Sequence, residues 1–323
     1  MAKVIVIVGS TASGKSALAI QLAKRFNGEI VSADSRQIYR GMDIGTAKLE
    51  VQRTSGISNG ILHHLIDIKN PDENYTAAEY KHDTIKAIGV ILKKKKLPIL
   101  VGGTGLYIKA VIDNLNIPEV APDQKLRKKL EKEIEKYGLK HVFKKLIKLD
   151  PEAAYIIDPN NPRRIVRALE VAMKTKEPFS AQRKAGKPFF NFIEIGLNMP
   201  KKELDKHIDK RVDSMIKAGL LKEVEKLIKK YGSKQRSFDA IGYREIIEYI
   251  KTKKCQYKTD RLNTDILKKN DLNNDLNEVA DLIKKNTRNY AKRQMTWFRK
   301  DKRIHWIENE KEAEKLIRDF LSH

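Results

Sequence analysis

The chain has 323 residues, 41% of them hydrophobic, which is enough for at least one sizeable core and excludes global disorder. Lys and Arg number 66 against 42 Asp and Glu, a net charge of +24 that points to a polyanionic partner, nucleic acid ahead of an anionic membrane surface. A single cysteine, Cys255, excludes a disulfide framework and an all-cysteine zinc site.

In chain order, Val4–Val8 is a β-branched run ending in glycine, the pattern of a strand buried on both faces. Ala17–Phe26 has helical spacing, Glu29–Ser32 reads as a second strand, and Ala77–Leu92 as a second helix closed by Lys93–Lys96 and Pro98. Ile99–Val101 is a third strand running into Gly102-Gly103. Alternating strands and helices predict an α/β parallel sheet with crossover helices. From 121 to 188 the texture becomes helical and charged, with one helix over Gln124–Leu149 and a second over Pro162–Lys174, so this stretch is expected to be a helical insertion between core segments 1–120 and 189–323. Phe192–Leu197 returns as a strand, followed by helices near 202–217, 220–231 and 240–250. Residues 252–277 are Lys-, Asn- and Asp-rich and predict an exposed loop, with a last basic helix over 278–300. No apolar stretch approaches the ~20 residues of a membrane span, and Met1-Ala2-Lys3 leads straight into a strand. A soluble, cytoplasmic protein is expected, acting as a monomer.

Gly9-Ser10-Thr11-Ala12-Ser13-Gly14-Lys15-Ser16 fits the phosphate-binding pattern G-x-x-x-x-G-K-[ST], between a predicted strand and a predicted helix as the motif requires. Gly9 and Gly14 let backbone N–H groups of Thr11, Ala12 and Ser13 turn toward phosphate oxygens, Lys15 adds a point charge, and the Ser16 hydroxyl is placed to ligate Mg²⁺. The loop specifies a phosphorylated ligand and not a reaction. A triphosphatase would also want an acid at the end of its hydrophobic strand, and Val101-Gly102-Gly103-Thr104 has none. The acid comes instead after the second strand, at Asp34. Strand ends of an open α/β sheet face one crevice, so Lys15, Asp34 and Thr104 should converge there, with Asp34 either a general base or an organiser of the Mg²⁺ shell.

The phosphate loop, Ser32–Lys48, Gly102–Tyr107, Ser237–Glu245 and Thr287–Arg299 fall in an order that resembles the bacterial tRNA dimethylallyltransferases (tRNA isopentenyltransferases) along nearly the whole chain. The resemblance implies a P-loop, nucleoside-triphosphatase-like α/β core with a helical insertion and a helical C-terminal part. It also implies transfer of a dimethylallyl group from dimethylallyl diphosphate to N6 of adenosine 37, beside the tRNA anticodon, with release of pyrophosphate. Carried over by position, Asp34 would be the general base, Thr104 and Arg127 would steady the departing pyrophosphate, and Arg211 would be a further diphosphate contact. Asp34-Ser35-Arg36-Gln37 and Arg163-Arg164-Ile165-Val166-Arg167 would contact tRNA at the anticodon stem-loop. The chain departs from the family at Ser10, where proline is usual, and at Asp205 and His207, where Tyr and Arg are usual.

In Lys284–Arg303 nine of twenty residues are Lys or Arg. Arg288 and Lys292 share a helical face expected to meet RNA phosphates, while Tyr290 and Trp297 on another face are expected to pack in the core. Arg167 followed by Glu170 also fits a surface ion pair. His63-His64 is expected to be structural, since Asp67 supplies no third ligand at helical spacing, and Gly28, Gly41 and Gly45 read as turn glycines. Three other functions fit the same loop: a small-molecule kinase, an adenylate isopentenyltransferase, and an RNA-binding protein using the loop as a nucleotide switch.

Overall fold

The structure, a computed structural model, describes residues 1–48, 56–118, 120–181, 185–259 and 269–323. Its first compact unit comprises 1–108 and 190–323, its second 109–189. In chain order the elements are β1 (Lys3–Val8), α1 (Lys15–Arg25), β2 (Gly28–Ser32), β3 (Ile57–Ser58), β4 (Ile61–His64), α2 (Ala77–Lys93), β5 (Leu97–Gly102) and α3 (Gly105–Ile112). The second unit holds α4 (Gln124–Tyr137), α5 (Leu139–Leu149), α6 (Ala153–Ile156) and α7 (Pro162–Thr175). Then follow β6 (Asn191–Leu197), α8 (Lys201–Lys217), α9 (Leu220–Tyr231), α10 (Tyr243–Thr259), α11 (Lys269–Phe298), β7 (Ile304–Ile307) and α12 (Glu310–Ser322).

The sheet runs β3-β4-β2-β5-β1-β6-β7, parallel except for the β3–β4 hairpin. β1 lies between β5 and β6, with Ile5 level with Ile99 on one side and Ile193 on the other. Ile5, Ile7, Ile30, Ile99 and Ile195 point into a core closed by Leu18, Leu22 of α1 and Ala313, Ile317 of α12. Val4, Val6 and Val8, facing the opposite way, are equally buried. Both faces are therefore covered, which is why β1 reads as an unbroken apolar run rather than an alternating one. α8, α9, α10 and α11 bury a second cluster, with Val212, Leu220, Val224, Tyr243, Ile246 and Ile283 packed against Ile38, Tyr39 and Met42 of the segment after β2.

The second unit is helical around its own core of Leu130, Val142, Leu146, Ile165 and Leu169. Glu170 is fully buried there and accepts Arg127 Nε at 2.8 Å, Arg127 Nη2 at 2.6 Å, Arg167 Nη1 at 2.5 Å and the Asp123 N–H at 2.6 Å. A buried carboxylate needs this many donors, because an unpaired one would be costly to desolvate.

Several expectations need correction. The helix expected over 124–149 is two, broken at Gly138, whose positive φ of 81° ends α4. The loop expected over 252–277 is helical on both described flanks, in α10 and α11; residues 260–268 lie outside the described residues. Gly28 opens β2 rather than making a turn. The short β3, β4 and β7 and the terminal α12 were not anticipated. Among the described residues no helix is long and apolar enough to cross a membrane.

Candidate active site

The loop after β1 turns through Gly14 into α1, as the motif requires, and Lys15 and Ser16 at the start of α1 line a cleft above the carboxyl ends of the strands. Lys15 Nζ donates to the Ser10 carbonyl at 2.9 Å. Burial pulls its ammonium down to about 8, opposed by Asp34 and reinforced by Arg211, so Lys15, Asp34 and Arg211 sense one another across the cleft. Arg211, on α8, donates through Nη2 to the Thr46 carbonyl at 3.1 Å, and burial lowers its pKa too, with Asp34 again opposing.

Asp34 follows β2 in a tight turn. Its Oδ1 accepts the N–H groups of Arg36 at 2.8 Å and Gln37 at 3.3 Å. Among the described residues Oδ2 has no hydrogen-bond partner, so one oxygen fixes the carboxylate and the other is open to the cleft. Thr104 joins this turn to the end of β5: its Oγ1 accepts the Ser35 N–H at 3.1 Å and its own N–H donates to the Ala33 carbonyl at 3.1 Å. Gln37 lines the cleft and donates to the Thr46 carbonyl at 3.4 Å. Arg36 is occupied with chain carbonyls, its Nη1 donating to Arg236 at 3.1 Å and Ser237 at 2.9 Å.

One residue that sequence reasoning passed over holds the cleft together. Gln294 of α11 accepts the Thr11 N–H at 2.8 Å and donates to the Gly103 carbonyl at 2.8 Å, tying the phosphate loop to the β5 end. A Cβ on residue 103 would lie 2.2 Å from Gln294 Nε2, so the glycine there is what admits the amide. A glycine pair paired with a distant buried Gln carries no local sequence signal. Tyr290, expected in the core, lines the cleft instead, and Trp297, expected likewise, is 38% exposed with its indole against Gly105.

His64 is structural, bonded at 2.8 Å to Glu29. His63 is not only that: it lines the cleft, its Nε2 is buried without a partner among the described residues, and burial next to His64 holds its pKa down at about 4, so the imidazole is neutral. In the second unit Arg163 and Arg164 are exposed on the first turn of α7, whereas Ile165 and Val166 are buried in that unit's core. The side chains of Ile165 and Val166 therefore do not face a partner. Arg167 reaches Glu170 and the Val120 carbonyl. Arg288 is bound to Asp209 of α8 rather than standing clear of it, while Lys292 is exposed.

A glycine-rich loop between a central parallel strand and its helix, with a carboxylate and two recessed cations over one crevice, defines a P-loop α/β protein, a fold suited to a phosphorylated ligand. The IPP transferase family model matches residues 37–301. A tRNA dimethylallyltransferase of Acetivibrio thermocellus is 43% identical, covering 99% of this chain and 96% of its own; one of Halothermothrix orenii is also 43% identical, over 98% and 93%. Among solved structures, the tRNA isopentenylpyrophosphate transferase of Bacillus halodurans superposes with a TM-score of 0.67 at 38% identity, covering 100% of this chain and 96% of that one. A eukaryotic dimethylallyltransferase acting on tRNA gives 0.75 at 27% identity, over 100% and 80%. The chain belongs to the tRNA dimethylallyltransferase (IPP transferase) family of enzymes.

Proposed function

We propose that the protein modifies tRNA in the cytoplasm, moving a dimethylallyl group from dimethylallyl diphosphate to N6 of adenosine 37. The C1–O bond of the donor breaks as a bond from N6 to C1 forms, pyrophosphate departs, and the N6 proton passes to Asp34. The observation that carries this reading is the Asp34 carboxylate, locked through Oδ1 by two N–H groups and open through Oδ2 in the cleft that holds Lys15 and Arg211. N6 is a poor nucleophile, its lone pair delocalised into the ring, so it needs a base on one side and cations drawing off the leaving group on the other.

The Ala12 N–H group, with Lys15 and Arg211, would hold the diphosphate; the Thr11 N–H, expected to join it, is taken by Gln294, and that of Ser13 turns to the Ser10 carbonyl at 3.4 Å. The hard oxygen of Ser16, with the diphosphate's own oxygens, suits Mg²⁺, which takes one or two protein ligands and keeps several waters; bound there it would neutralise charge on the leaving group. Thr104 would orient the Asp34 turn. In the second unit, Arg127 Nε and Nη2 are both held by Glu170. Arg163, Arg164 and Lys292 would meet the tRNA backbone, whose target base must leave its stack at a cost of a few kcal/mol.

The test is incorporation of labelled dimethylallyl diphosphate into unmodified tRNA with Mg²⁺, beside an ATP-hydrolysis control. Label recovered as N6-modified adenosine with idle ATP is the expected result. ATP turnover without label would make the protein a kinase instead.

A further inference from the structure

The segment Met42–Lys48 borders the cleft through Thr46 and Ala47 but holds none of the residues given a role above. It is gripped from behind by a single carboxylate. Glu223, in the first turn of α9, accepts the N–H groups of Asp43 at 3.1 Å and Ile44 at 2.7 Å on Oε2, and that of Gly45 at 3.2 Å on Oε1. The Tyr243 hydroxyl, from α10, donates to the same Oε1 at 2.6 Å. Three successive peptide N–H groups converging on one charge form an anion nest whose occupant is the protein's own side chain, and each bond is charge-assisted.

Gly45 makes the arrangement reachable. A Cβ there would come within 2.4 Å of the Tyr243 ring, so any larger residue would push the loop off the tyrosine that completes the carboxylate's shell. On its far side the loop presents the Thr46 carbonyl, which accepts Arg211 Nη2 at 3.1 Å and Gln37 Nε2 at 3.4 Å. The loop's other end is fixed by Lys48, which donates to the Tyr39 carbonyl at 2.9 Å and to Asp43 and Asp67 at 2.7 and 2.6 Å. The Thr46 carbonyl is thus set at both ends, and with it the one hydrogen-bonding anchor that fixes Arg211 among the described residues.

We propose that Glu223 is a positioning residue for the transfer reaction: through the Asp43–Thr46 backbone it seats Arg211 where the diphosphate binds. This rests on the reading of Arg211 as a diphosphate contact. A flexible arginine held in advance binds an anion better than one that must be ordered on binding, so the effect belongs to the donor and not to tRNA.

Glu223→Gln turns an N–H group toward backbone donors and is expected to weaken pyrophosphate binding about tenfold, raising KM for dimethylallyl diphosphate while KM for tRNA stays put. Arg211→Lys should weaken it similarly, and the double variant should be little worse than the weaker single one. The measurement is calorimetric titration of pyrophosphate with Mg²⁺ into each full-length variant, with melting temperatures alongside. Fully additive losses, or equal rises in both KM values, would overturn the proposal and leave Glu223 a general stabiliser. Unchanged binding in Arg211→Lys would overturn the Arg211 reading and the proposal with it. Should Glu223→Gln fail to fold, Tyr243→Phe removes only the hydroxyl bond, and its combination with Arg211→Lys must again be less than additive.

Discussion

Asp34 shows how one turn can hold a carboxylate in the arrangement that the proposed base needs. Two backbone N–H groups on Oδ1 remove its rotational freedom and leave Oδ2 as the oxygen that can take a proton. Asp34→Asn keeps the size and can keep the Oδ1 bonds, so it separates proton removal from binding. Transfer is expected to fall ~10²–10⁴-fold, while pyrophosphate affinity measured by titration stays within a factor of a few. A variant with near-normal turnover would remove the base assignment. Lys15, by contrast, is legible as a charge in the sequence, but its pull down to about 8 is a consequence of burial that no motif states.

At the scale of elements, α11 does two jobs with one buried face. Gln294 faces inward to the phosphate loop and the β5 end, and Ala291 packs with Leu204 and Ile208 of α8 against Ala12. Gln294→Leu would leave the part-buried Thr11 N–H and the buried Gly103 carbonyl without this partner, the carbonyl at a cost of ~1–3 kcal/mol and the N–H at less. Its expected signature is a lower melting temperature together with weaker pyrophosphate binding, since the same loop does both; loss of stability alone would make the tie purely structural.

The β2–β4 side of the sheet is held differently. Burial pushes Glu29 of β2 upward, but hydrogen bonds from His64, Lys96 and Lys94 outweigh that and bring it to about 2. A carboxyl held below its unfolded value contributes stability that is fully present above about 4.5 and is lost as pH falls toward 2. The melting-temperature gap between the parent and Glu29→Gln should therefore be widest above pH 4.5 and close as the pH drops to 2. A gap that stays constant over that range would show that shape, not charge, is what the site uses.

For the whole molecule, the net charge of +24 sets the long-range attraction for a polyanion, and tRNA binding should weaken steeply with salt. Arg288 and Lys292 are expected to contribute unequally to that slope, because Arg288 is already paired with Asp209 while Lys292 is exposed. Lys292→Ala is expected to lower the salt slope by about one, and Arg288→Ala by distinctly less, read from filter binding between 50 and 200 mM salt. Slopes unchanged from the parent in both variants would take α11 off the RNA-facing surface.

The sequence by itself determined the phosphate loop, the parallel sheet and the acid after β2, because each is a local pattern: a β-branched run buried on both faces, glycines at fixed offsets, a carboxylate in the turn that follows a strand. The family resemblance came from such blocks as well. What only the tertiary structure decided were pairings between residues far apart in the chain. Gln294 meets residues 11 and 103, Glu223 meets the peptide groups of 43–45, and Arg288 meets Asp209. Gln, Glu and Arg on helices read as solvated surface residues when only their neighbours in sequence are visible. Whether such a group is exposed, paired or buried depends on which strand ends and loops the fold carries to it, and periodicity holds no record of that.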